Sequence, residues 1–353
     1  MKPQSTNLDL LRSVAVLCVV NSHLWDVLGL TDSGWGHRWG ILAVGRLGVL
    51  MFFIHTSLVL MLSLERLHDD GSGRVALRFY LRRAFRIYPL SILTVLFVVG
   101  LHLPSYFEDH PAPVDTHVLV ANLLLVQNIP NWNSVNGPLW SLPFEVQMYL
   151  LLPFLYMVGR RIRSQAAAVA FILSAFVMTL LERRLALRVG YGPLLEYAPW
   201  FAMGIAAYSI ARGARDKLSG RWFCIALFCF VAIDFIIQRL DRGYRGGWYL
   251  WADGFAFALL LPHCADISQS VFTRIFHGIA KYSYGIYLSH VPILWFSFKR
   301  LNGQPIGVRW AVFVALMTLV PVVLYHVLEE PLIQLGARLA GLSVPARATT
   351  RPS

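Results

Sequence analysis

An arginine and a histidine lie in the first apolar segment of the chain, Leu8–Leu28, where ionisable side chains are costly and are therefore candidates for function. The segment has about the 20 residues that a helix needs to cross a bilayer. Arg12 and His23 are eleven positions apart. On a helix that is about three turns, so both side chains share one face, roughly 16 Å apart along the axis. The spacing predicts Arg12 near one membrane surface and His23 near the midplane.

The chemistry of this pair suits a long ligand with an anionic head and a reactive tail. A desolvated imidazole stays neutral, and neutral His23 can take a proton from a hydroxyl as a general base. In the alternative interpretation, Arg12 reaches the surface beside Asp9 and His23 only packs against another helix. His23 at mid-depth has no such route to water, which favours the functional interpretation.

Three arginines precede the third apolar segment, in the run Arg82-Arg83-Ala84-Phe85-Arg86-Ile87-Tyr88-Pro89. Arg83 and Arg86 are three residues apart and share a helical face. The planar fork of a guanidinium is suited to phosphate oxygens. An ordinary cationic anchor at the cytoplasmic surface is the alternative. Because the cluster falls on the same predicted membrane side as Arg12, the four arginines together predict a polyphosphate site.

Glu145 enters a long apolar segment with no neighbouring cation, shortly after Trp140 and Ser141 and four residues before Tyr149. A carboxylate in such surroundings either pairs with a cation elsewhere in the bundle or belongs to a site, and we expect a site.

Tyr287 and His290 are three residues apart and would face together, either in a hydrogen bond between helices or in the site. Arg46 and His55 are also ionisable residues within an apolar segment, but the sequence assigns neither a role. The spacing of the other histidines fits no familiar metal pattern, so no metal is predicted.

Composition places these residues in a membrane protein. Of the 353 residues, 57% are hydrophobic and 14% charged, whereas soluble domains carry about 25% charged residues. We predict an all-α, polytopic bundle of about ten transmembrane helices. They lie near residues 8–28, 41–63, 87–103, 139–158, 165–182, 194–211, 222–238, 248–264, 281–298 and 309–328. The net charge of +12 is assigned to cytoplasmic loops and anionic lipids, not to nucleic acid.

The distribution of basic residues predicts the orientation. Nearly twice as many Lys and Arg residues fall on the side of the N-terminus as on the other, so both termini are predicted to be cytoplasmic. The connection Pro104–Pro138 has no Lys or Arg, as expected of an external segment; its apolar run Val118–Val126 is too short to cross and is predicted to be re-entrant or interfacial. Residues 1–340 are predicted to form one membrane domain and residues 341–353 a disordered cytoplasmic tail.

The sequence resembles the acyltransferase-3 family of integral membrane acyltransferases through four elements in the family's order. They are Arg12 through His23 (R-x10-H), Arg83-x-x-Arg86 (R-x-x-R), Trp140-Ser141-Leu142-x-x-Glu145 (W-S-L-x-x-E) and Ser283-Tyr284-Gly285-Ile286-Tyr287-Leu288-x-His290 (S-Y-x-x-Y-L-x-H). Each motif alone is weak, whereas four in register, over essentially the whole chain, are specific.

The resemblance implies a ten-helix core in the cell (inner) membrane. It implies transfer of an acetyl or other short acyl group from cytoplasmic acyl-CoA, with acetyl-CoA the expected donor, to a hydroxyl of a cell-envelope glycan or lipid. His23 would be catalytic, either as general base or as a transient acyl-histidine. Arg12, Arg83 and Arg86, with Arg82 beside them, would hold the CoA phosphates.

The remaining motif residues are predicted to support this site. Glu145 would orient or polarise His23, or hold the acceptor. The other five are predicted to line or support the substrate site: Trp140, Ser141, Tyr149, Tyr287 and His290.

Two other classes of function remain open. A transporter or channel would use the intramembrane ionisable residues as a proton or solute path, although no two-half repeat is visible and the phosphate-type arginines lie on one side. A sensor of the same fold would bind a lipid or CoA without turnover.

Overall fold

The computed structural model describes residues 5–30, 41–69, 74–108, 113–186, 194–214, 217–240 and 248–341. Over these ranges the chain is helical, and the β contact within them is an isolated bridge between Leu218 and Cys264. The predicted all-α class is confirmed. Of the predicted tail, residues 341–353, all but the first residue lie outside the described residues.

Twelve α-helices are present in the described ranges. They are α1 (Thr6–Val27), α2 (Ile41–Asp69), α3 (Val75–Gly100), α4 (Thr116–Leu124), α5 (Leu142–Gly159), α6 (Gln165–Ala186), α7 (Ala198–Gly213), α8 (Gly220–Leu240), α9 (Trp248–Leu260), α10 (Val271–Trp295), α11 (Ile306–Leu324) and α12 (Glu330–Leu339). A 3₁₀ turn at Gly137–Ser141 leads into α5, and a π turn at Tyr325–Glu329 joins α11 to α12.

Seven helical stretches of the described chain are long and apolar enough to cross a bilayer. They are Thr6–Val27, Val44–Asp69, Val75–Gly100, Gly137–Gly159, Gln165–Arg184, Gly220–Ile237 and Ile306–Leu339. The multi-pass character is thereby supported, but the predicted count of about ten spans is not confirmed. The described parts of α7 and α9, with 16 and 13 residues, are shorter than a span requires. Helix α10 is long enough, but its 25 residues include several charged and polar side chains.

Helix α2 lies at the centre of the bundle, with 83% of its span buried, and α1 packs between α2 and α10. Two glycines allow α1 and α2 to approach closely. A Cβ on Gly48 would lie 2.5 Å from the carbonyl oxygen of Ala15, and one on Gly45 would lie 2.6 Å from Ser22 Cβ. Small residues are the usual means of close helix contact in membranes. The contact holds α1 against the centre of the bundle.

Pairs of ionisable residues mark two ends of the bundle. One end has Asp9–His277 at 2.7 Å, Arg86–Glu329 at 2.6 Å and Glu65–Arg212 at 3.2 Å. The opposite end has Arg46–Glu196 at 3.2 Å and Arg183–Glu196 at 3.5 Å. We call the first the arginine end, since α1 begins there and Arg12 follows six residues later, and the second the histidine end, since α1 ends there shortly after His23.

Candidate active site

A cavity of about 100 Å³ lies between α1, α2, α3, α5 and α10 and gathers residues that are far apart in the sequence. We call it the arginine cavity. Seven of the predicted site residues line it: Arg12, Arg83, Arg86, Ser141, Glu145, Tyr149 and Tyr287. The sequence therefore identified most of its polar wall from motifs on four separate helices and one turn.

Arg12 and Arg83 form no hydrogen bond and no ion pair in the part of the chain that the structure describes, and the Nε atom of each is buried and unpartnered. The carboxylate near both of them is that of Glu145. One carboxylate does not balance two buried cations, and buried charge that is not balanced is costly. An anion placed between the two guanidinium groups would relieve that cost, and phosphate oxygens suit their geometry.

Arg86 is in a different state from the other two arginines. Its Nη1 donates to Glu329 Oε2 at 2.6 Å, and its guanidinium lies 5.5 Å from the centre of the Tyr284 ring. The Glu329 side chain is 1% exposed, and its Oε1 has no hydrogen-bond partner. Arg86 is therefore neutralised within the protein, which the R-x-x-R motif did not reveal. Sequence reasoning missed Glu329; the signal was an acidic residue at the end of an apolar segment, directly before Glu330.

Glu145 lines the arginine cavity. Its Oε2 accepts a hydrogen bond from the Tyr149 hydroxyl at 2.6 Å, and the nearby cations are Arg12 and Arg83. The predicted roles of Glu145, to orient or polarise His23 or to hold the acceptor, stay predictions. The 3₁₀ turn and the first turn of α5 lead from Gly137, which lies against Tyr106, to Glu145 eight residues further along the chain.

Tyr287 and Ser141 separate the cavity from the next group of residues. The Tyr287 hydroxyl donates to the Pro138 carbonyl oxygen at 2.9 Å, so the 2.8 Å contact with Ser141 Oγ has Ser141 as donor. The Tyr287 ring also lies 5.9 Å from the His290 ring, centre to centre. One side chain thus contacts both parts of the site.

His23 and His290 form a pair, with ring centres 5.2 Å apart. His290 Nδ1 lies 2.7 Å from the Tyr287 carbonyl oxygen and 3.2 Å from that of Ile286, so we assign the proton of His290 to Nδ1. His290 Nε2 is then a lone-pair acceptor, and it is buried without a partner. His23 Nδ1 is also buried and unpartnered. Two ring nitrogens are left for a hydroxyl group or a water molecule.

Tyr106, in the segment after α3, covers the histidine pair. Its ring stacks on His23 at 5.5 Å and lies against Gly137, where an added Cβ would come within 2.1 Å of it. The Gly137 amide donates to the Ser105 carbonyl oxygen at 2.8 Å, which holds the segment in place. Burial, with the charges of Glu108 and Asp26, raises the pKa of Tyr106 to about 12.

His23 lies four residues before the end of α1 and packs against Tyr106 in the segment that follows α3. Its predicted position near the midplane of the membrane stays a prediction. Sequence reasoning also missed Tyr106, because nothing local connects residue 106 with residue 23.

Two predicted residues belong neither to the arginine cavity nor to the histidine pair. Arg82 does not line the arginine cavity, and the Arg66 guanidinium lies near Arg82. Trp140 packs in an aromatic group, 6.3 Å from the Phe144 ring centre and 5.8 Å from that of Tyr197. Trp140 thus supports the entry into α5.

The two residues without a predicted role now have a place. Arg46 pairs with Glu196 at the histidine end, which is a structural contact. His55 lines the arginine cavity close to Arg12. No group of three or more His, Cys, Asp or Glu side chains suited to a metal occurs among the described residues.

Residues 5–326 match the family model of the acyltransferase-3 acyltransferase domain, and the chain belongs to that family. This agrees with the resemblance inferred from the four motifs.

Three of the relatives are proteins of known name. A putative peptidoglycan O-acetyltransferase, YrhL of Bacillus subtilis, is 24% identical over 94% of this chain and 55% of its own length. The peptidoglycan O-acetyltransferase OatA of Listeria monocytogenes is 23% identical over 82% of this chain and 49% of its own. Nodulation protein 10 of Rhizobium leguminosarum is 25% identical over 82% of each chain. This chain spans about half the length of the first two. No solved structure gives a significant match.

Proposed function

We propose that this protein is a membrane O-acyltransferase that moves an acetyl or other short acyl group from acyl-CoA to a hydroxyl of a cell-envelope glycan. The observation that carries the proposal is the pair Arg12 and Arg83, two arginines in one cavity that form no ion pair among the described residues. Family membership supports the acyl chemistry. The names of the B. subtilis and L. monocytogenes relatives support a peptidoglycan hydroxyl as acceptor.

The donor would bind through its phosphates at Arg12 and Arg83. A cavity of about 100 Å³ has room for a phosphoryl group and a few waters, since one water needs about 10–15 Å³ of such space. The rest of the donor would therefore extend beyond the cavity. Arg86 would contribute to the site only to the extent that it leaves Glu329, which competes with the phosphate for the same guanidinium.

The acyl group would be transferred at the histidine pair. His23 lies on the same face of α1 as Arg12, about 16 Å further along the axis, so the arm of the donor would run along that helix. The acceptor oxygen attacks the thioester carbonyl carbon while His23 takes the hydroxyl proton. The C–S bond then breaks, and the departing sulfur receives that proton. In the alternative route His23 is acylated first, which predicts a labelled enzyme when acceptor is absent.

We also propose that the arginine end faces the cytoplasm, as the distribution of Lys and Arg predicts. The test uses single cysteines at Asp115, between α3 and α4, and at Ser164, before α6, in a cysteine-free protein. A membrane-impermeant thiol reagent on intact cells should label position 115 and not position 164. The reverse pattern would place the arginine cavity on the wrong side for a cytoplasmic donor.

The decisive experiment reconstitutes the purified protein with [14C]acetyl-CoA and peptidoglycan fragments. We expect label in the glycan as an alkali-labile ester, with equimolar release of CoA thiol. The Arg83→Ala variant should lose transfer at low donor concentration, whereas Arg183→Ala, which removes an arginine at the opposite end, should retain it. Donor binding without transfer to any glycan or lipid would instead indicate a CoA sensor, and absence of both would exclude the proposal.

A further inference from the structure

A second and larger cavity, of about 880 Å³, opens at the arginine end and shares no lining residue with the arginine cavity. We call it the basic cavity. Its charged lining consists of basic side chains only, as far as the described residues extend: Arg160, Arg161, Arg163, Arg212, His68 and His263. Neither the family motifs nor the proposed acyl transfer uses any of them.

Most of this positive charge is not compensated by the protein. Arg212 is paired with Glu65 at 3.2 Å and also donates to the Arg160 carbonyl oxygen at 3.2 Å. Arg160, Arg161 and Arg163 form no ion pair with any carboxylate in the described ranges; Arg160 instead lies 5.6 Å from the centre of the Tyr156 ring. Three cations within four residues repel each other unless an anion lies between them.

Tyr156 forms part of the wall of the basic cavity and is 3% exposed. Its ring lies 6.0 Å from that of His68 and 6.2 Å from that of Tyr208, centre to centre. The face of the Tyr156 ring lies against the Arg160 guanidinium and so helps to hold that cation at the cavity.

The flank of the cavity is apolar and uncovered. Met157, which lines the cavity, is 61% exposed, and Phe154 and Leu150 on the same helix are 66% and 62% exposed. Leu77, one residue beyond the lining residues of α3, is 55% exposed. In a multi-pass membrane protein such a surface faces the acyl chains of the bilayer. The site thus combines a charged pocket with an apolar wall, which suits an amphiphilic anion.

We propose that the basic cavity binds the phosphate headgroup of an anionic membrane phospholipid, whose acyl chains lie against α5 and the start of α3. Basic pockets between membrane helices at the cytoplasmic side are suited to such headgroups. A soluble nucleotide, including the donor, would share the phosphate chemistry but would leave the apolar flank uncovered. The observations therefore favour the lipid, and this site is independent of the proposed transfer reaction.

The test measures lipid retention by native mass spectrometry of the purified full-length protein, titrated with phosphatidylglycerol or with phosphatidylcholine. We expect one tightly held phosphatidylglycerol, bound more weakly as salt rises, and no comparable phosphatidylcholine adduct. Each surface arginine contributes about a fivefold gain in affinity, so the triple variant R160A/R161A/R163A should bind about a hundredfold more weakly. The matched control K299A/R300A removes two exposed cations from the histidine end and should bind like wild type.

Three further arms make the outcome decisive. The lysine variant R160K/R161K/R163K keeps the charge and should retain most of the binding even if the alanine variant does not fold. Acetyl-CoA should not displace the lipid, and Arg83→Ala should hold it as wild type does. Equal binding of both lipids, full retention in the alanine variant, or displacement by acetyl-CoA would each overturn the proposal, the last by assigning the cavity to the donor.

Discussion

The arginine cavity and the histidine pair lie about three turns apart on one face of α1, and they are built in opposite ways. The cavity brings together three arginines, and one of them is neutralised by Glu329. The pair consists of two imidazole rings under the aromatic cover of Tyr106, with two ring nitrogens left unpartnered. The first arrangement suits anion binding and the second suits proton transfer. Binding and chemistry should therefore be separable by mutation.

A third group of residues shows that arginines within the bundle do not by themselves indicate a site. Arg46 and Arg183 at the histidine end share the carboxylate of Glu196, at 3.2 and 3.5 Å. Arg12 and Arg83 have no such partner in the described ranges. A hydropathy scale gives all four arginines the same value. Whether an arginine forms an ion pair depends on the residues that surround it in the folded protein. A buried cation that the protein leaves uncompensated is the better indicator of an anionic ligand.

The largest effect is expected from His23→Ala. Loss of a general base should lower the transfer rate about 10²–10⁴-fold and leave donor affinity unchanged, because the phosphate-binding arginines are intact. The measurements are kcat with labelled acetyl-CoA and the donor Kd by titration. His117→Ala, at an exposed histidine, is the control. If His23→Ala turns over substrate at a rate near that of wild type, His23 is not a catalytic residue.

Arg83→Ala should show the complementary defect. A charged hydrogen bond contributes roughly 1.5–3 kcal/mol, so donor affinity should fall about ten- to a hundredfold while kcat at saturating donor changes little. Arg83→Lys should restore part of the loss, because lysine lacks the planar fork. If donor affinity is unchanged in both Arg83→Ala and Arg12→Ala, these arginines do not bind the donor and serve only to orient the protein in the membrane.

Gly137→Ala tests whether the cover of the histidine pair positions His23. The new Cβ would lie 2.1 Å from the Tyr106 ring, so that ring must move off His23. We expect kcat to fall about tenfold, because the His23 side chain would shift from the position in which it reacts. The donor Kd should not change. Tyr106→Phe keeps the ring and should stay close to wild type. A loss confined to donor affinity would contradict the separation of the two regions.

Glu329→Gln should raise the affinity for the donor, whereas Arg83→Ala should lower it. Without the carboxylate charge, Arg86 becomes available to a phosphate. Donor affinity should then rise about three- to tenfold, which is less than the affinity that one complete charged hydrogen bond contributes. Thermal unfolding is measured alongside, since breaking a buried pair also destabilises. Weaker donor binding in a folded variant would mean that Glu329 instead holds Arg86 in its binding position.

The smallest effect is expected from Arg183→Ala. Its side chain is 55% exposed and its partner Glu196 keeps Arg46, so stability should change by less than about 1 kcal/mol. Donor Kd should remain within twofold of wild type. A donor defect as large as that of Arg83→Ala would remove the distinction between paired and unpaired arginines.

Part of this site follows from the sequence because it depends on local geometry. The 3.6-residue period puts Arg12 and His23 on one face of α1, and Arg83 and Arg86 on one face of α3, whatever those helices pack against. Hydropathy likewise located the long apolar helices, because the bilayer sets their length. The order of four motifs identified the family before any contact was known.

Tertiary structure alone decided which charges are compensated and which residues meet. Glu329 reaches Arg86 across 243 positions of chain, Glu145 lies near Arg12 and Arg83, and Tyr106 lies on His23 because Gly137 leaves it room. No local period or propensity encodes contacts between segments so far apart. They depend on how closely helices approach, which is set by side-chain volumes throughout the bundle. The sequence therefore determined which helix faces carry the candidate residues, and packing decided what each face contacts.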